Sequence, residues 1–403
     1  MSLNDTPRAD RLHIGIFGRR NSGKSSLINA LTGQSVAIVS DVAGTTADPV
    51  YKSMEIHGIG PVVFIDTAGF DDVGELGTMR VQKSGDAVRK TDMALLVFSS
   101  GACGADEIEW LKRLQSSKIP VIAVLNKIDT VADVSQSLTS IERATGLKAL
   151  PVSALNGTGI DALRERLIQT APESGERPSI TGSLCAAGDV VVLVMPQDIQ
   201  APQGRLILPQ VQTIRELLDK KCIPVCVTTD QLDGALAALN EPPRLMIVDS
   251  QTFAAVYPKK PERTKLTSFS VLFAGFKGDI GEFVRGARAI AGLTASSRVL
   301  IAEACTHAPL EEDIGRVKIP RLLRQRFGDE LGIDIVRGAD FPEDLCPYSL
   351  VIHCGACMFN RRYVLSRIAQ CRAQGVPITN YGVVMAYMTG ILEKIDFGAE
   401  LRA

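Results

Sequence analysis

The sequence predicts an α/β chain of three domains with mostly parallel sheets, and three observations lead there. Short runs rich in Val, Ile and Leu alternate with stretches of helical periodicity from Leu12 to Thr379, the strand–helix–strand pattern of parallel sheets. Two polar segments bearing Pro or Gly, Pro172–Pro178 and Tyr257–Arg263, interrupt that alternation and read as linkers. At 403 residues the chain exceeds what one hydrophobic core ordinarily serves. The expected boundaries are 1–172, 178–262 and 266–403.

Composition narrows the classes. Apolar residues make up 45% with only 5% aromatics, as in α/β cores. The 44 basic residues balance 45 acidic ones, so no broad basic face is implied and nucleic acid is not the default partner. No apolar run approaches the roughly 18 residues a membrane helix needs. Met1–Arg11 is polar and charged, without a signal-peptide core. Nine cysteines in such a chain read as reduced thiols, and a cytoplasmic location is expected.

In the first domain, Leu12–Phe17 is a buried-strand run, followed by Gly18-Arg19-Arg20-Asn21-Ser22-Gly23-Lys24-Ser25 and a helix from Ser26 to Thr32. This is G-x-x-x-x-G-K-S in the strand–loop–helix context that a phosphate loop requires. Its glycines let backbone N–H groups from Gly18 to Ser26 wrap an anion at a helix N-terminus. Lys24 would reach the β- and γ-phosphates, and Ser25 would bind magnesium. A second strand, Val62–Ile65, ends in Asp66-Thr67-Ala68-Gly69. There Asp66 can hold magnesium and the Gly69 N–H can sense the γ-phosphate. Val121–Leu125 ends in Asn126-Lys127-Ile128-Asp129, where the Asp129 carboxylate can accept from two N–H donors of guanine. Ser153 and Ala154 would pack on the base. Between the first two motifs lies Gly44-Thr45-Thr46, where Thr46 can close over magnesium and the γ-phosphate. GTP or GDP with magnesium is the expected ligand, with Lys24, Thr46, Asp66 and Gly69 as the catalytic group. His13 and His57 read as structural, and Cys103 as a plain thiol.

In this order the motifs resemble the tRNA-modification and ribosome-assembly branch of the translation-factor-related GTPases. That resemblance implies a P-loop GTPase domain. It also implies that Asn21 holds a potassium ion beside the phosphates, with a loop-shaping role as the alternative. Phe70 stands where Ras-like proteins carry a water-orienting Gln, so hydrolysis is expected to be slow.

The middle domain reads as strand Asp189–Met195, helix Gln210–Lys221, strand Pro224–Thr228, helix Gln231–Asn240 and strand Leu245–Val248. It carries no catalytic motif. Cys222 and Cys226 lack a third cysteine at cluster spacing and read as packing residues. Such a module fits an association surface, and a homodimer is expected.

The last domain alternates again: strand Ser270–Ala274, helix Glu282–Gly292, strand Arg298–Ala304, a helix over Pro320–Phe327, strand Leu350–His353, helix Tyr363–Ala373 and strand Pro377–Thr379. Cys305 and His307 follow one strand, and His353, Cys354 and Cys357 end or follow another. Binding crevices in open parallel sheets lie at such carboxyl ends. Three cysteines suit an iron–sulfur cluster with one iron left open or weakly held by a histidine; a structural zinc site is the alternative. Arg361 and Arg362 could offset the charge of an anionic group, or simply be solvated.

A Gly-Thr-Thr GTPase, a middle α/β module and then Cys-x-His…His-Cys-x-x-Cys together resemble the HydF family. The resemblance implies a four-iron (4Fe–4S) cluster on Cys305, Cys354 and Cys357, with His307 or His353 as a variable fourth ligand. It further implies a scaffold on which a di-iron precursor is completed and then delivered to apo FeFe-hydrogenase. The implied partners are radical-SAM maturases of the HydE and HydG types, with dimerisation through the middle domain. The competing function is a ribosome-assembly or tRNA-modification GTPase with a structural zinc domain.

Overall fold

The computed structural model describes residues 8–33, 50–56, 58–69, 85–99, 103–171, 178–197, 206–304, 314–338, 340–356 and 359–397. They fall into two compact units, Met1–Glu176 and Arg177–Ala403.

The first unit is a six-stranded sheet between helices. In chain order it runs β1 (Leu12–Gly18), α1 (Lys24–Thr32), β2 (Val50–Ile56), β3 (Gly60–Asp66), β4 (Met93–Phe98), α2 (Ala105–Ser116), β5 (Val121–Leu125), α3 (Val134–Thr145), β6 (Leu150–Pro151) and α4 (Ile160–Thr170). The strand order is β2-β3-β1-β4-β5-β6. Only the β2–β3 pair is antiparallel. Central strands covered on both faces read as unbroken apolar runs, and all six residues of β4 are buried. Alternate residues then serve opposite faces. Leu95 and Val97 pack with Leu27, Leu31, Leu163 and Leu167, while Ala94, Leu96 and Phe98 pack with Trp110, Leu114 and Ile141. The sequence motifs lie in the turns that leave the carboxyl ends of β1, β3 and β5.

The second unit holds two parallel four-stranded sheets. The first forms from β7 (Val190–Val194), α5 (Leu208–Asp219), β8 (Ile223–Val227), α6 (Leu232–Ala238), β9 (Leu245–Val248), α7 (Phe253–Val256) and β10 (Lys265–Ser268), in the order β10-β9-β7-β8. Next come α8 (Phe269–Lys277), α9 (Ile280–Arg288), β11 (Arg298–Glu303), α10 (Ile319–Phe327), β12 (Gly332–Arg337), β13 (Leu350–His353), α11 (Arg361–Ala373), β14 (Ile378–Asn380) and α12 (Tyr381–Met388). The second sheet is ordered β12-β11-β13-β14. Val192, Met246 and Leu266 of one sheet share a hydrophobic cluster with Leu300, Val351 and Ile378 of the other, joined by Val271 of α8 and Val284 of α9.

Two sequence expectations change here. Ser270–Ala274, expected as a strand, belongs to helix α8. Phe-Ser-Val-Leu-Phe-Ala-Gly-Phe is apolar almost throughout because Val271, Phe273 and Ala274 are all buried, and a helix buried all round has the composition of a buried strand. Ser268 caps it, its side chain accepting from the Val271 N–H. The segment after Tyr257–Arg263 adds β10 to the edge of the first sheet, in parallel register with β9.

Candidate functional site

In the first unit the phosphate loop is already shaped. Asn21 and Gly23 have φ of 58° and 85°, and left-handed residues in such a loop gather N–H groups into an anion-binding concavity. Lys24 is buried, and its Nζ donates to the carbonyls of Gly18 at 2.9 Å and Arg19 at 2.8 Å. These bonds fold the cation back over its own loop, where phosphate oxygens would take their place. Ser22 Oγ is buried with no hydrogen-bond partner among the described residues. Ser26 lies in the first turn of α1.

Ser25 Oγ donates to Asp66 Oδ2 at 2.6 Å, so the two expected magnesium residues meet. Burial pushes the Asp66 carboxyl above its ordinary 3.8, and the Ser25 hydrogen bond with the charges of Lys24 and Lys52 only partly restrains it. A divalent cation would favour the ionised form. Gly69 packs against the phosphate loop so closely that an added Cβ would sit 2.6 Å from the Arg20 nitrogen.

Asn126 ties the motifs together. Its Nδ2 donates to the Ser22 carbonyl at 3.0 Å, and its Oδ1 accepts from the Ala154 N–H at 3.1 Å. Ser153 Oγ donates to Asp129 Oδ1 at 2.5 Å, steadying an exposed carboxylate beside the base position. Lys127 takes a left-handed φ of 61° between them. Thr45, Thr46, His57 and Phe70 lie outside the described residues. His13 is structural: it is buried, its Nδ1 lies 2.9 Å from the Arg11 carbonyl, and its N–H donates to Asp92.

In the second unit Cys354 follows β13, whose neighbour is β11. Its sulfur accepts two backbone hydrogen bonds, from Ala304 N at 3.1 Å and Ala356 N at 3.4 Å. Ala304 immediately precedes Cys305, and Ala356 immediately precedes Cys357. Ala356 adopts φ 50°, a left-handed turn that is unusual for a residue with a Cβ and aims its N–H back at the sulfur. Cys305, His307 and Cys357 themselves lie outside the described residues, and no group of three or more possible metal ligands converges among the residues that are described.

His353 is fully buried. Its Nδ1 lies 2.7 Å from the Cys354 carbonyl and its Nε2 lies 2.9 Å from Arg367 Nη1. Both ring nitrogens are therefore engaged by the protein, so His353 does not present a donor to a metal in this arrangement. Arg361, considered as a charge-offsetting residue, instead caps α8: its Nη1 donates to the carbonyls of Gly275 and Phe276, each at 2.7 Å. The buried Lys277 donates to the Phe359 carbonyl at 3.2 Å, and Asn360 Oδ1 accepts from Tyr363 N to start α11.

Residues 180–278 match the hydrogen maturase F dimerization domain and residues 281–395 match the hydrogen maturase F tetramerization domain, together more than half of the 403 residues. The chain belongs to the hydrogen maturase F (HydF) family. Its two C-terminal modules are self-association domains of that family, where the sequence alone led to a dimer. Residues 13–127 match the 50S ribosome-binding GTPase model, and the first unit is a GTPase domain. Among curated relatives, the tRNA modification GTPase MnmE of Hamiltonella defensa is 36% identical over 173 residues, covering 41% of this chain and 36% of its own length. GTPase Der of Wolinella succinogenes is 39% identical over 170 residues, covering 39% and 35%. The chain thus spans about a third of the length of these relatives. Among solved structures, a point variant of Aquifex aeolicus Era bound to GDP·AlF4⁻ matches with a TM-score of 0.37 and 22% identity, over 54% of this chain and 92% of that one. Among the described residues no helix is long and apolar enough to cross a membrane.

Proposed function

We propose that this chain is a GTP-gated iron–sulfur scaffold. In this role it receives the di-iron precursor of the FeFe-hydrogenase active site from radical-SAM maturases and hands it to the apo-enzyme in the cytoplasm. One observation supports the cluster reading above the others. The two amides that donate to the Cys354 sulfur belong to the residues directly before Cys305 and Cys357. Consecutive Cα atoms are about 3.8 Å apart, so the described neighbours of both other cysteines, Ala304 and Ala356, meet at the Cys354 sulfur, which supports a shared site for the three thiols. Amide N–H groups directed at a sulfur favour its thiolate form and tune an iron–sulfur cluster. The donor set fits a soft metal centre. Cys305, Cys354 and Cys357 would hold a four-iron cluster, which supplies an iron with an exchangeable position, and His307 is the remaining histidine candidate for that position.

On the nucleotide side, Lys24 and the loop amides would bind the phosphates, Ser25 and Asp66 the magnesium, and Asp129 the guanine. Thr46 and Gly69 would order around the γ-phosphate, biasing the switch segment between two states. Asn21 would help hold potassium. Self-association would proceed through residues 178–262 as a homodimer, with the 266–403 module carrying the cluster and extending assembly.

Anaerobic reconstitution of the chain and of C305A, C354A and C357A tests this reading. The expected result is a coloured protein with about four iron and four sulfide per chain, lost in each variant together with activation of apo-hydrogenase. Stoichiometric zinc in a colourless, anaerobically purified protein would refute it.

A further inference from the structure

We infer that Arg367 is a positioning residue for the cysteine loop: it fixes His353 as a relay to the Cys354 backbone, holds that imidazole out of the metal's coordination shell, and sets a buried positive charge behind the cluster. The inference rests on the cluster reading above.

The hydrogen-bond roles are settled by chemistry. A guanidinium only donates and a backbone carbonyl only accepts. Nε2 of His353, which faces Arg367 Nη1 at 2.9 Å, must accept, and Nδ1, which faces the Cys354 carbonyl at 2.7 Å, must carry the hydrogen. Both ends require the same tautomer. Arg367 is itself held on several sides. It is 2% exposed, its Nη2 donates to the Gly338 carbonyl at 2.6 Å and to Tyr363 Oη at 2.7 Å, and its guanidinium lies 4.5 Å from the ring centres of both Phe341 and Tyr363. Tyr363 Oη donates in turn to Gly338 at 3.0 Å. Arg367 and Tyr363 belong to the helix that Asn360 starts, whereas Gly338 and Phe341 follow β12, so the guanidinium is clamped between two separate segments.

Burying a guanidinium is costly unless polar partners and counter-charge compensate. The His353 link sets that charge one imidazole away from the Cys354 backbone, so an anionic cluster on Cys354 would be attracted to it. Groups that orient a metal ligand from behind in this way control its basicity and the potential of the centre. A purely structural network would leave those electronic properties unchanged when the charge is removed.

The test uses the full-length chain and its R367M, R367K and H353N variants, reconstituted anaerobically. Iron, sulfide, the reduction potential and the pulsed EPR nitrogen couplings of the reduced cluster are measured for each. R367M is expected to keep its iron and sulfide but to show a lower potential and altered EPR, with R367K recovering most of the potential. H353N should leave the directly coordinated nitrogen signal of the parent chain unchanged. R367M with the parent's potential and EPR overturns the inference, as does a strong nitrogen coupling that disappears in H353N. Should R367M fail to fold or load, long-range ¹H–¹⁵N spectra of the parent chain without metal decide. An Nδ1–H tautomer at His353 supports the relay and an Nε2–H tautomer overturns it. A parent chain without iron and sulfide removes the cluster reading itself, which separates that failure from one confined to Arg367.

Discussion

Replacing Gly69 by Ala tests whether the switch glycine is read by the phosphate loop. The new Cβ would lie 2.6 Å from the backbone nitrogen of Arg20 and 2.8 Å from its Cα. Non-bonded carbons rest at about 3.5–4.0 Å, so one segment must retreat. Neither obstacle is a flexible side-chain end, and forcing a methyl into such a contact costs about 1–3 kcal/mol. At about 1.4 kcal/mol per decade that is roughly 5- to 150-fold in the equilibrium that brings residue 69 onto the loop. In the proposed switch the GTP state would need that approach for the γ-phosphate to meet the residue 69 N–H, whereas the GDP state would yield by letting residue 69 move away. Titration with fluorescent GDP and a non-hydrolysable GTP analogue should therefore show affinity lost in that range for the analogue alone, with slower phosphate release. Equal losses for both nucleotides, or none, would refute the reasoning.

Exchanging potassium for sodium should slow GTP hydrolysis, and Asn21→Ala should erase the difference; equal parental rates in both salts would end the potassium assignment. Glu216 receives the N–H groups of Ile180 and Thr181 and the hydroxyls of Ser179 and Thr181 at 2.5–2.9 Å. Burial alone would raise its carboxyl, yet these bonds outweigh it and hold the group below its ordinary 4.5. Because the folded value is depressed, its stabilisation is present above about pH 4.5 and disappears as pH falls through the lower folded value. Glu216→Gln should thus cost about 1–3 kcal/mol in urea unfolding near neutral pH, and the gap to the parent chain should close in acid. Leu300→Ala, in the fully buried centre of β11, should cost about 2–5 kcal/mol. The exposed Glu330→Ala should stay within about 0.5 kcal/mol, and similar losses at both sites would contradict the core assignment.

The nucleotide site was legible because its chemistry is written in contiguous residues: Gly18 to Ser25, Asp66 to Gly69 and Asn126 to Asp129 each end a strand. The bridge from Asn126 to Ser22 and Ala154 was not, since it joins backbone groups that have no sequence signature. In the second unit the strands Leu245–Val248 and Leu350–His353 coincide with the structure, while α8 was misread because burial on every side erased its period. The edge strand β12 passed unnoticed: Asp334 and Arg337 interrupt its apolar residues, and an edge position leaves them partly solvated. The contribution of Arg367 had one visible signal. Tyr363, Arg367 and Cys371 recur every four residues on the buried face of α11, and a cation in such a row calls for a specific partner. Which partner could be known only from the turn at Gly338 and the imidazole of His353.

The sheet order of the second unit has a consequence for biosynthesis. β11 and β13 are neighbours in space, yet α10 and the edge strand β12 lie between them in the chain. A growing polypeptide therefore carries β11 without its neighbour β13 while a further helix and strand are still being made. The sulfur of Cys354 meets its amide partner at Ala304 only when β13 docks. That contact is thereby deferred until most of this unit has been translated and packed.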